Sequence, residues 1–234
     1  MNDARRLRPI VAIDGPAGAG KSTVARRLAD VLDFVLVDTG ALYRAVALAA
    51  ERAAIAWTND VAVGSLARAL VVRRALAFER DRGGGLRVAL DGADITDAIR
   101  APHVGMGAST VSAHKQVRDA LLDIQRQAGR EGGVVLEGRD IGTVVFPDAE
   151  VKFFLTARTE VRARRRYAEL AAKGLPVTFE ETLEDVRRRD EQDMTREVAP
   201  LRQAADAVLV DNSDCTVDET VAAMAAIARA RSDA

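Results

Sequence analysis

At 234 residues, 48% apolar and 29% charged, the chain has the make-up of a soluble globular protein with one sizeable domain, or one core carrying small insertions. A net charge of −1 excludes a general polyanion-binding surface, and a single cysteine, Cys215, excludes an intrachain disulfide and is expected to be a small buried hydrophobe. No run approaches the length of a membrane span, and the charged start Met1 to Arg8 lacks the apolar core of a signal peptide, so a cytoplasmic protein is expected.

The apolar run Ile10-Val11-Ala12-Ile13 reads as a buried strand, and Thr23 to Leu32 has helical spacing. Between them stands Gly15-Pro16-Ala17-Gly18-Ala19-Gly20-Lys21-Ser22, which fits G-x-x-x-x-G-K-[ST] in the strand–turn–helix context that pattern requires. Small residues let successive backbone N–H groups, through Thr23, curl around a polyphosphate at a helix N-terminus. Lys21 can reach the β- and γ-phosphates, and the Ser22 hydroxyl suits one position on Mg²⁺. A nucleoside triphosphate is therefore the expected ligand.

Phe34 to Val37 reads as a second strand, followed by Asp38-Thr39-Gly40, with Thr39 as N-cap of a helix from about Ala41 to Ala54. From about Asn59 to His103 the alternation breaks. A short helix through Leu66 is followed by strand-like Leu70–Val72, Leu76–Phe78 and Leu86–Leu90, with Gly83-Gly84-Gly85 and Asp91-Gly92 as turns of a small antiparallel insert. Gln116 to Gln127 is helical, with Val117, Leu121 and Ile124 on one face. Further strands are expected at Val134–Leu136, Val151–Leu155 and Ala207–Val210, and further helices at Glu160–Ala172, Glu180–Glu191 and Val217–Ala230. Five short apolar strands separated by helices predict an α/β fold, a five-stranded parallel sheet with helices on both faces, whose ligands gather at the carboxyl ends of the strands. Those ends carry Gly15, Asp38 and Glu137 to Asp140.

Arg158 to Arg166 holds five arginines against one glutamate, and Arg158, Arg162, Arg165 and Arg166 would share a helix face. Arg187-Arg188-Arg189 forms a second cluster, and Gly174 and Pro176 separate the two. An arginine-bearing helical lid over a triphosphate has this composition, with Arg158 and Arg162 the first choices for donor contacts. A second group, Thr39, Arg44, Ser109, Arg118, Arg139 and Asp140, could hold a smaller phosphate, although Arg44 and Arg118 read equally well as surface charges. His103 and His114 are too sparse for a metal site, and Trp57 is expected to pack.

Three stretches together carry a resemblance: Ile13 to Ser22, Asp38-Thr39-Gly40-Ala41-Leu42-Tyr43-Arg44, and Gly138-Arg139-Asp140-Ile141-Gly142-Thr143-Val144-Val145-Phe146-Pro147-Asp148-Ala149. With Arg189-Asp190 through Asp193, Arg196 and Ala199-Pro200-Leu201, the chain resembles the bacterial cytidylate kinases over nearly its whole length. The resemblance implies phosphorylation of CMP and dCMP with Mg²⁺ and ATP, in a monomer that takes small nucleotides and neither nucleic acid nor membrane as partners. It implies that Arg44, Arg139 and Arg196 grip the CMP phosphate, that Ser109, Arg118 and Asp140 face cytosine, and that Thr39, Arg189 and Asp193 lie near the sugar. Lys21, Arg139, Arg158, Arg162 and Arg196 would then carry the transfer. The expected division is a core (1–58, 104–157 and 197–234), a monophosphate-binding insert (59–103) and a lid region (158–196). A GTP switch lacks its Asn-Lys-x-Asp stretch, and a nucleic-acid adaptor would need more than 4% aromatics and balanced charge.

Overall fold

The computed structural model describes residues 6–80 and 86–232; the Gly83–Gly85 turn and the last two residues lie outside them. In chain order the elements are β1 (Ile10–Asp14), α1 (Lys21–Leu32), β2 (Val35–Asp38), α2 (Gly40–Arg52), α3 (Asp60–Val72), β3 (Leu76–Arg80), β4 (Leu86–Leu90) and β5 (Ala93–Asp94). They continue with α4 (Pro102–Val111), α5 (Lys115–Gly129), β6 (Val134–Gly138), β7 (Val151–Thr156), α6 (Thr159–Ala172), α7 (Phe179–Thr195), β8 (Val208–Asp211) and α8 (Val217–Ser232). The main sheet is five-stranded in the order β2-β6-β1-β7-β8, and β1–β6, β1–β7 and β7–β8 pair in parallel, as the sequence predicts. The antiparallel insert is also present, as the sheet β3-β4-β5. Asp91 and Gly92, both at positive φ, make the two-residue turn from β4 to β5.

By internal contacts the chain forms two compact units, one of residues up to Phe34 with those from Gly133 onward, the other Val35–Gly132. In the first, β1 is buried along its full length between β6 and β7, because both faces of a parallel sheet are covered. Helices α1 and α8 pack together, and α6 packs against α7. The strand order reverses direction at β1, which puts a ligand crevice at the carboxyl ends of β1 and its neighbours. There the buried Asp14 carboxylate accepts the backbone N–H groups of Ile141 and Gly142, each at 2.8 Å. Those two residues open a single π-helical turn, Ile141–Val145. Burial pushes the Asp14 carboxyl from the usual 3.8 up to about 6; the Gly142 and Ile141 N–H groups pull it down, nearby Asp140 pushes it up and Lys21 lowers it.

In the second unit α3 packs on α5 and α2 on α4. Its core joins Leu42 and Val46 of α2, Val63 and Leu70 of α3, and Val117 and Leu121 of α5. Trp57 packs as expected: its indole N–H donates to the Ala47 carbonyl at 2.9 Å, and its ring lies where a Cβ on Gly107 would be, 2.5 Å from the nearest ring carbon.

Four expectations are corrected, and one helix appears where the sequence predicts no element. Leu70–Val72 is the last turn of α3, not a strand, because Val63, Ala67 and Leu70 continue one buried helical face. Residues 102–111 form a helix, started by Pro102 at a position where its missing N–H costs nothing. Thr39 occupies the N-cap position without capping through its side chain; Asp38 Oδ1 accepts the Ala41 N–H instead, at 3.2 Å. Arg158 is the N-cap of α6 rather than part of its face, and Cys215, in the loop before α8, is exposed.

Gly107→Ala should lower stability by about 1–3 kcal/mol, since overpacking against a ring outweighs the ~0.5–1 kcal/mol that alanine gains in a helix. Urea unfolding of the double variant with Trp57→Leu should recover at least half of that loss; simple additivity would refute the contact. For Asp14 the folded pKa lies above the unfolded one, so its contribution is full below about pH 4 and lost as pH rises through about 6. Relative to Asp14→Asn, the wild type should lose up to about 3 kcal/mol between pH 4 and 7. The opposite trend in paired urea titrations would mean that the two N–H bonds outweigh burial.

Candidate functional site

The glycine loop is built by close approach. A Cβ on Gly15 would lie 1.9 Å from the Leu155 carbonyl oxygen of β7, so only glycine lets the chain leave β1 there. Gly20, at φ 84°, is the N-cap of α1 and no side chain caps that helix, which leaves first-turn N–H groups to an anion. Lys21 is buried, and its ammonium donates to the carbonyls of Gly15 (2.7 Å) and Pro16 (2.8 Å). Burial, and then the Arg139 charge, lower its pKa to about 7 against the pull of Glu137, Asp193 and Asp14. A cation held under those two stresses is one that phosphate oxygens would relieve.

Ser22 Oγ donates to Glu137 Oε2 at 2.9 Å, setting a hydroxyl beside a carboxylate at the end of β6. These hard oxygen donors fit Mg²⁺. Among the described residues no group of three or more His, Cys, Asp or Glu side chains is gathered for a metal, so water and phosphate oxygens would supply the other positions, as magnesium prefers.

At the same strand end, Arg139 Nε donates to Asp193 Oδ2 at 2.7 Å. Burial alone would lower the Arg139 pKa, but Asp193 beside it raises it. Arg196 is buried, donates to the Ala199 carbonyl through Nε and Nη2, and stands 3.6 Å from Asp193 and 3.9 Å from Asp140. Burial and the neighbouring Arg166 charge depress the pKa of Arg189 on α7, with Arg139 adding to the repulsion. Arg139, Asp140, Asp193 and Arg196 thus come together in this unit, two guanidinium groups against two carboxylates, and Arg189 beside them adds a further guanidinium that an anion could engage.

The unit of Val35–Gly132 holds the other candidates. Arg44 on α2 pairs with Asp38 at 3.0 Å, and Thr39 between them in sequence is buried. Arg118 on α5 is buried, donates to the Ser112 carbonyl at 3.1 Å and lies over the Tyr43 ring, 5.3 Å from its centre. Ser109 sits on α4, where its carbonyl accepts from Ser112 Oγ. Arg118 is therefore no solvated surface charge.

The arginine-rich helix divides by function. Arg158 is exposed and forms a two-pronged pair with Asp214 at 2.5 and 2.7 Å. Arg162 is buried; it donates to the carbonyls of Ala157 (2.8 Å) and Ala17 (3.0 Å) and to both oxygens of Asp190 (2.9 and 2.6 Å). Arg165 donates to Asn212, and Arg166 to Glu169. Asp14 and Asp190 stand inside the stretches that carry the resemblance but receive no role from the sequence, and Asn212 is not singled out there. Asp14 had a signal, a carboxylate closing an apolar strand beside the glycine loop, whereas Asn212 had none.

The family model for cytidylate kinase matches residues 11–230. A cytidylate kinase of Geobacter sulfurreducens is 54% identical over 231 residues, 99% of this chain and 97% of that protein. One of Pseudomonas aeruginosa is 50% identical over 213 residues, 91% of this chain and 92% of that protein. Among solved structures, an uncharacterized protein from Eubacterium ventriosum superposes with a TM-score of 0.50, covering 95% of this chain and 99% of that one; at 12% identity the likeness is of fold alone. With relatives this similar from the first strand to the last helix, the chain belongs to the cytidylate kinase family of enzymes.

Proposed function

We propose that the chain transfers the γ-phosphoryl group of Mg²⁺–ATP to CMP or dCMP, giving CDP or dCDP and ADP. The observation that carries this reading is the cluster of Arg139, Asp140, Asp193 and Arg196 in the same unit as the glycine loop, near enough for the Arg139 charge to act on Lys21. The family supplies the nucleotide class, and the cluster supplies the means of holding a second anion.

The acceptor is a phosphate monoester, already largely dianionic at neutral pH because its second pKa is about 6. One of its oxygens attacks the γ-phosphorus, the bond from that phosphorus to the β-bridging oxygen breaks, and ADP departs with the electron pair. No proton has to be removed from the nucleophile, so what the protein contributes is alignment and charge neutralisation. In this reading Lys21 and the backbone from Gly15 to Thr23, through every N–H except the one Pro16 lacks, hold the donor phosphates, and Arg158 and Arg162 join them by exchanging Asp214 and Asp190 for phosphate. Ser22 and Glu137 would hold magnesium, which supplies neutralising charge at the phosphate oxygens when bound.

Arg44, Arg139 and Arg196 take the acceptor phosphate, Thr39, Arg189 and Asp193 the sugar, and Ser109, Arg118 and Asp140 the base. Cytosine offers an amino donor and two acceptors, which match a carboxylate, a hydroxyl and a guanidinium; uracil reverses two of these features and would leave buried groups unpaired. We further propose a cytoplasmic monomer that does not act on nucleic acid. Among the described residues no helix is long and apolar enough to cross a membrane.

An ADP-release assay with CMP, dCMP, UMP, AMP and no acceptor should show kcat/KM for CMP above that for UMP by on the order of 10²-fold or more. Equal use of UMP would overturn the assignment of the base contacts. Arg139→Ala should raise the KM for CMP by about 10- to 100-fold and slow transfer, the loss expected of a charge-assisted hydrogen bond, with ATP affinity within about twofold of wild type. A variant that lost only ATP affinity would put Arg139 on the donor side.

A further inference from the structure

We propose that Asn212 is a positioning residue for the donor phosphates: its side-chain amide holds the Ala19 carbonyl turned out of the glycine loop, and so keeps the Gly20 N–H turned in. The inference rests on the reading of that loop as a phosphate cradle. It concerns a residue that lies 193 positions further along the chain and outside the loop motif.

Asn212 follows β8 directly and is buried, 4% exposed. Its own backbone is tied at both groups: the N–H donates to the Thr156 carbonyl at the end of β7 (2.9 Å), and the carbonyl accepts Arg165 Nη2 (2.8 Å). The side-chain orientation follows from chemistry. Arg165 Nη1 stands 2.9 Å from Oδ1, and a guanidinium can only donate, so the amide oxygen must face it. The amide nitrogen must then face the other way, where it donates to the Ala19 carbonyl at 3.0 Å. A flipped amide would set N–H against N–H on one side and oxygen against oxygen on the other.

The consequence for the loop comes from peptide geometry. Among the described residues no peptide bond is cis, so the Ala19 carbonyl and the Gly20 N–H point in opposite directions across one plane. Fixing the carbonyl therefore fixes the N–H. Gly20 is the residue least able to fix itself, because it sits at φ 84° and has no side chain to pack. The amide nitrogen of Asn212 and the guanidinium of Arg165 back it from outside, at 3.8 and 3.9 Å from where its Cβ would stand. Arg162 does the same for the neighbouring turn by holding the Ala17 carbonyl at 3.0 Å. The loop is thus braced by side-chain donors on its outward carbonyls, a preorganisation that an anion-binding cradle needs.

The test compares Asn212→Ala with Asn212→Asp, measuring binding of ATP and of inorganic tripolyphosphate by calorimetry, together with KM for CMP. Aspartate keeps and strengthens the partner of Arg165, yet turns a carboxylate oxygen onto the Ala19 carbonyl. The expected result is a loss of about three- to tenfold in both donors' affinity for Asn212→Ala and a larger loss for Asn212→Asp, with KM for CMP unchanged. Asn212→Asp behaving as wild type would reduce the residue to a holder of Arg165 and overturn the proposal. So would a loss confined to ATP, which would place Asn212 on the base. Wild type that binds neither ATP nor tripolyphosphate would refute the cradle itself, a separate failure. A measurement free of any folding defect uses ¹⁵N-labelled wild type titrated with tripolyphosphate: the Gly20 amide and the Asn212 side-chain amide should shift together, and an Asn212 side chain exchanging like a surface amide would refute the brace.

Discussion

The region around the glycine loop depends on one buried carboxylate. Asp14 ends the most deeply buried strand and accepts two N–H groups from the turn after β6, so a single side chain ties the exit of β1 to the exit of its neighbour. Gly15 begins the loop one residue later, and Arg139 and Asp140 stand just before the turn that Asp14 holds. The glycine loop and Arg139 are thereby positioned from the same strand ends. The constraint has a cost, visible in a carboxyl pushed up to about 6, and that cost is tolerable because both N–H groups would otherwise be buried without partners.

A second principle is that nearly every cation in this region already has a partner. Arg139 rests on Asp193, Arg162 on Asp190 and Arg158 on Asp214. Exposed pairs such as Arg158–Asp214 add little stability, and buried ones such as Arg162–Asp190 seldom add much over well-packed apolar groups, so their value here lies in placement. A guanidinium that is held and directed by a carboxylate can take a phosphate by exchange without first being ordered. Burial, and then the neighbouring charges of Arg139 on Lys21 and of Arg166 and Arg139 on Arg189, disfavour the charged forms of both groups, and an incoming anion would relieve that strain.

The sheet and the loop were legible because their signals are local: mostly apolar runs of three to five residues, glycine punctuation, and charge at strand ends. Helix α4 was not, since Gly105, Gly107 and the β-branched Val104, Thr110 and Val111 blur any helical preference, and its packing against α2 decides the matter. Leu70-Val71-Val72 misled for the opposite reason, because a short apolar run fits a strand and a helix end equally well. At the site, sequence could count arginines on α6 but could not say which are spent on carbonyls. That depends on Ala17, Asp190 and Asn212, whose nearness is a property of the fold.

This division among the arginines bears on how the α6–α7 hairpin could move. Arg162 and Arg165 fasten the first half of α6 to the loop and to the end of β8, through Ala17 and Asn212. The later half carries Arg166, Glu169 and Lys173 in exposed pairs one turn apart, which hold the helix together and anchor it to nothing else. Gly174, at φ 71°, closes α6, and the Thr178–Glu181 capping box starts α7 afresh. Any swing of the α6–α7 hairpin that leaves the loop intact must therefore pivot beyond Arg165. The glycine loop and the first half of α6 are thereby tied into one piece, and the later half of the helix lies beyond those ties.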